Sequence, residues 1–127
     1  MHTQPPCSNT PVATPSELIT ALRDLYIVSS AAAQLGGYGL EVHEAQWRAL
    51  ARGTRGAKAV LDQQTAARDT DAITAFRQLA KMCEDILELY ARHQKFPSAV
   101  WREVGRLGRE AYDCIDLCIT RQRGGGA

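Results

Sequence analysis

Apolar side chains recur every three or four positions through four successive stretches of this chain, and glycine, proline and aspartate fall between the stretches. A period near 3.6 gathers those side chains on one face of a helix, so the pattern specifies amphipathic helices and not strands. Helices joined by short connections pack with chain neighbours antiparallel. The expected fold is therefore all-α, an up-and-down antiparallel four-helix bundle. A length of 127 residues suits one such domain, which can bury a core without a metal or disulfide to hold it. The domain is expected over 14–122, with a disordered arm over 1–13 and a disordered glycine tail over 123–127.

The arm is rich in Pro, Thr, Ser and Asn and has too few apolar side chains to offset the entropy of ordering. Thr14-Pro15-Ser16-Glu17 then opens the first helix: a hydroxyl at the N-cap, proline where its missing N–H costs nothing, and glutamate three residues on. Its stripe of Leu18, Ile19, Leu22, Leu25, Tyr26, Ala32 and Leu35 is expected to stop at Gly36 and Gly37, which offer the left-handed closing conformation. The second helix is expected from about Val42 to Ala67, with Leu40, His43, Trp47, Leu50, Thr54, Ala57 and Leu61 as its stripe. Gly53 and Gly56 inside it each cost about 1 kcal/mol against alanine, which predicts a bend, a break or a close approach by a neighbouring helix.

Asp69-Thr70-Asp71 can cap a third helix whose stripe is Ala72, Phe76, Leu79, Cys83, Ile86, Leu87, Tyr90 and His93, running to about Gln94 before Pro97. Ser98 can cap a fourth with Trp101, Val104, Leu107, Gly108, Ala111, Cys114, Ile115, Cys118 and Ile119 inward.

Fifteen Lys and Arg against fourteen Asp and Glu leave a formal charge of +1, too little for a global field toward nucleic acid or an anionic membrane. The first sixteen residues lack a basic and apolar leader, and no apolar run approaches the roughly 18 residues that span a bilayer. A cytoplasmic protein with reduced thiols is the expectation, and the abundance of Ala and Arg is compatible with a bacterial origin.

Three of the four cysteines sit on helix stripes. Cys83, Cys114 and Cys118 could converge inside the bundle and hold zinc or Cu(I), with His93 as a fourth ligand. Core packing is the favoured reading, because free cysteine is among the most buried residues and no paired CxxC is present. A bridge between Cys114 and Cys118 is disfavoured by geometry: β-carbons one turn apart are about 5 to 6 Å away, against about 3.8 Å in a disulfide. Cys7 lies on the arm.

Motifs that would imply catalysis fail at defined positions. His43-Glu44-Ala45-Gln46-Trp47 begins like the zinc-hydrolase helix, but Trp47 stands where the second histidine must be. Glu41, Glu84 and Glu88 lack the histidine three residues on that a di-iron bundle needs. Gly53-Thr54-Arg55-Gly56-Ala57-Lys58 lacks the spacing, the hydroxyl after lysine and the strand of a phosphate loop.

Two basic rows remain, Arg48, Arg52 and Arg55 on the second helix and Arg102, Arg106 and Arg109 on the fourth. Either could follow phosphates or meet an acidic partner. The favoured reading is a solvated, salt-bridged face, with Arg106 pairing Glu110 and Arg109 pairing Asp113 one turn on. Trp47 and Trp101 could plug a bundle end or anchor a partner. The expected function is a non-enzymatic protein-interaction module without a cofactor, binding another protein or itself as a homodimer, through Tyr38, Trp47, Trp101 and the two rows. The thiol site, as a metal or redox sensor, and a nucleic-acid regulator are the rivals.

Overall fold

The computed structural model describes residues 15–63 and 71–125, with side chains described over 16–63 and 71–114. Four helices form: α1 (Pro15–Gly37), α2 (Glu44–Asp62), α3 (Asp71–Ala91) and α4 (Ser98–Gly125). α1 packs on α2 and α4, and α3 packs on the same two, while α1 barely touches α3 across the diagonal. This is the expected up-and-down bundle. The arm over 1–13, Thr14 and the 64–70 connection with its Asp69-Thr70 cap lie outside the described residues.

The helices form because the predicted stripes find one another. Phe76, Leu22, Leu25, Leu50, Leu79, Ile86 and Val104 are fully buried at the centre, and burial of each large apolar side chain contributes about 1.5–3 kcal/mol. All of Trp47, Leu50, Thr54, Ala57 and Leu61 turn inward from α2. Leu40 and His43, assigned to the same stripe, are exposed because they precede the helix.

α1 does not stop at Leu35. It continues through Gly36 and Gly37, and the left-handed residue is Gly39 at φ +76°. Leu40 N–H donates to the Leu35 carbonyl at 2.9 Å and Gly39 N–H to the Gly36 carbonyl at 3.0 Å, the pair of bonds that closes a Schellman motif. Gly36 serves a different purpose: a β-carbon there would fall 2.1 Å from Trp101 Cδ1.

α2 starts at Glu44, two residues after the expected Val42, because His43 is the N-cap in extended conformation. The Gln46 side chain turns back to accept from the His43 N–H at 3.0 Å. His43-Glu44-Ala45-Gln46 is thus a helix start. α2 runs unbroken past Gly53 and Gly56 to Asp62, so of the three expected outcomes the close approach is the one found. Gly53 lies against Val28 and the backbone of Leu25 on α1, whereas Gly56 faces open space.

α3 ends at Ala91, three residues before the expected Gln94, for the same reason that α1 ends late. His93 takes the left-handed conformation at φ 56°, and Gln94 and His93 donate to the Leu89 and Tyr90 carbonyls at 2.9 and 3.0 Å. Histidine tolerates this region better than most residues with a β-carbon. The α4 backbone stays helical through Arg123, Gly124 and Gly125, which the sequence reading assigned to the tail.

Candidate functional site

Five of the nine sequence-derived contact residues line one groove. It runs between α1 and α4, encloses about 840 Å³, and is bounded by Tyr26, Ser30, Gln34 and Tyr38 on one side and by Trp101, Arg102, Arg106, Arg109, Glu110 and Asp113 on the other. The arginines share a wall because steps of four and three keep them on one face of α4. Tyr38 stands 81 % exposed at the α1 cap, held there by the turn that Gly39 permits.

Each charge on the α4 wall has its own role. Arg102 Nε donates to the Gly37 carbonyl at 3.0 Å, giving a partner to an acceptor in the last turn of α1, where a helix end carries partial negative charge. Arg106 pairs with Glu103 at 2.6 Å and with Glu110 at 3.0 Å. The hydrogen bond from Arg106 holds the Glu103 carboxyl below the usual carboxylate range, and Glu103 raises the Arg106 guanidinium in turn. The expected Arg106–Glu110 pair is therefore present. The expected Arg109–Asp113 pair is not among the described ion pairs, although both residues are exposed and border the groove.

Both tryptophans are largely buried, and Trp101 alone of the two borders the groove. Trp47 is 8 % exposed and Trp101 5 % exposed, with ring centroids 5.3 Å apart. Tyr90 stacks on Trp47 at 4.0 Å, and Phe96 lies within 6.5 Å of Trp47 and 5.6 Å of Trp101. Together these rings plug one end of the bundle, one of the two roles open to the tryptophans. Tyr90, placed on the inward stripe of α3, lies partly exposed as the outer lid of this stack.

The α2 row stands apart. Arg48 pairs with Glu44 at 2.8 Å, Arg52 borders a small α1/α2 groove of about 280 Å³, and Arg55 is exposed. Because α2 and α4 lie on a diagonal of the bundle, the two rows do not merge into one basic stripe.

Cys83 is fully buried on α3, and burial pushes its thiol up to about 12, against a weaker opposite pull from the Thr54 hydroxyl. Thr54 Oγ1, itself buried, completes no well-formed hydrogen bond. A reactive thiol needs the reverse environment, electropositive and accessible. Cys114 is half-buried at the core's edge, and Cys118 lies outside the described side chains. His93 is exposed and ends α3. Among the described residues no three His, Cys, Asp or Glu side chains gather as metal ligands, and no helix is long and apolar enough to cross a membrane.

Sequence reasoning missed Tyr26, Ser30, Gln34 and Asp113 as part of the site. Tyr26 stacks on Tyr112 with centroids 4.3 Å apart, joining α1 to α4 beside the groove. An up-and-down bundle sets the first helix beside the last, but which of their residues face each other is a tertiary event that no local spacing in either helix signals. The fold and site thus define a four-helix bundle with a polar, mixed-charge groove between its terminal helices. No family model, curated protein or solved structure matches the chain.

Proposed function

We propose that this chain is a non-enzymatic helical interaction module, of adaptor or regulatory type, and that its contact face is the α1/α4 groove. One observation carries the reading: an aromatic side chain 81 % exposed, Tyr38, borders the same groove as Arg102 and Arg109. Aromatic and arginine side chains are the residues in which binding energy concentrates at protein interfaces. The charge on the groove wall also supports a polypeptide over a phosphate backbone. Arg106 is matched by Glu103 and Glu110, and Asp113 stands beside Arg109, so no excess of positive charge accumulates there.

The test is co-purification from cells of two differently tagged full-length copies, with every protein retained at fixed stoichiometry quantified. A Tyr38→Ala/Arg109→Glu double variant should lose the retained protein, whether that is the second copy or another polypeptide. Arg55→Glu on α2 should keep it. Identical retention by all three sinks the reading.

A further inference from the structure

We infer that the occupant of the α1/α4 groove is a second copy of this chain, related by a two-fold axis that passes α4 between Arg109 and Asp113; this rests on the groove being the contact face.

Acid and base one turn apart pair at several places on the surface of this bundle. Glu44 meets Arg48 and Asp85 meets Lys81, each at 2.8 Å, and Glu88 meets Arg92 at 2.6 Å. Arg106 takes both Glu103 and Glu110. Arg109 and Asp113 have the same spacing on the same exposed face and form no ion pair among the described residues. They are left as one positive and one negative group, side by side on a groove wall.

That is the arrangement an isologous contact requires, because a two-fold axis brings each patch against itself and every group must find its complement within its own set. Four residues of helix advance about 6 Å. With α4 antiparallel to α4 of the second copy, Arg109 of each chain faces Asp113 of the other, and one axis makes both pairs. A patch of one sign could not do this. The remaining charges on the wall do not oppose it: Arg106 is satisfied by its two glutamates, and Arg102 is turned onto the Gly37 carbonyl. The Tyr26–Tyr112 stack sits beside this stretch of α4 and supplies the aromatic surface that two ion pairs alone would lack.

Sedimentation equilibrium on the full chain, at low and high salt, tests the arrangement with Arg109→Asp, Asp113→Arg and the double reversal. The wild type should dimerise. Either single reversal should weaken the dimer about tenfold or more, since symmetry places each change in the interface twice. The double reversal should restore it, because the swapped charges meet again across the axis. Circular dichroism confirms that every variant keeps its helices. A monomeric wild type whose Tyr38→Ala/Arg109→Glu variant still loses a co-purifying polypeptide overturns the second-copy inference and leaves the groove reading standing. A dimer indifferent to both single reversals overturns this interface.

Discussion

Trp101 lies so close to Gly36 that a β-carbon on Gly36 would sit 2.1 Å from Trp101 Cδ1 and 2.4 Å from Nε1. The contact joins the last turn of α1 to the first turn of α4, and through Trp101 it reaches Trp47, Tyr90 and Phe96. Glycine inside a helix costs about 1 kcal/mol against alanine, but burying an indole on the bared backbone contributes more. α1 therefore runs through a Gly-Gly pair that would end an isolated helix.

Gly36→Ala is expected to lower stability by about 3 kcal/mol, since the added β-carbon would overlap the indole and force the ring from its seat. Gly56→Ala, also inside a helix but facing open space, is expected to raise it by about 0.5–1 kcal/mol. Urea unfolding followed by tryptophan fluorescence reads both. Equal effects at the two positions would mean that Trp101 does not occupy the place described.

Arg102 belongs to the fold as much as to the groove. Arg102→Ala removes a donor from the end of α1 and is expected to cost about 0.5–1 kcal/mol, less in high salt. Arg55→Ala, an exposed arginine on α2, is expected to change stability by less than about 0.5 kcal/mol. Thermal melts at two salt concentrations separate the two variants.

Cys83 is expected to be the thiol that resists alkylation in the native protein, while unfolding exposes it to iodoacetamide. Its folded value, raised from 9.0 to about 12, favours the neutral thiol in the native state. Below pH 9 the group is neutral in both states and its contribution is complete. As the pH rises from 9 toward 12 the unfolded thiol ionises first, so that stability is lost. Cys83→Ala should flatten this part of the pH profile. Denaturant midpoints measured at intervals from pH 8 to 11 check the slope, and an unchanged slope in the variant counts against the burial of the thiol.

Thr54 Oγ1 is enclosed without a well-formed hydrogen bond. Thr54→Val keeps the branched shape and removes the stranded hydroxyl, and is expected to stabilise the protein by about 1 kcal/mol. Destabilisation in the same unfolding experiment would mean that the Cys83 thiol, the polar group beside it, is the hydroxyl's partner.

The helix stripes were legible because burial acts on periodicity, which is local. Phe76, Leu79, Cys83 and Ile86 on α3, and Trp101, Val104 and Ala111 on α4, lie inward as the spacing predicts. Helix ends were less legible. Two glycines in succession at 36 and 37 read as a stop, while the closing residues are Gly39 and a histidine, His93. The choice depends on which backbone a neighbouring helix covers, and no window of sequence contains that neighbour. The arginine row on α4 was visible as a row, but its division into Arg102 at a helix end, Arg106 between two glutamates and Arg109 left over was not. Carbonyls and carboxylates compete for each guanidinium by distance, and distances between helices are set only on packing.

The sequence by itself determined that this chain makes four amphipathic helices with one shared core, because the hydrophobic effect needs only the period and the width of each stripe. The tertiary structure alone decided which helix faces meet. It seated Trp101 on Gly36 and opened between Tyr38 and Arg109 a groove whose walls lie more than sixty residues apart in the chain, as the Arg102–Gly37 hydrogen bond across 65 positions records. Contacts at such separations follow from the packing of whole helices, whose geometry is the joint result of every side chain in the core.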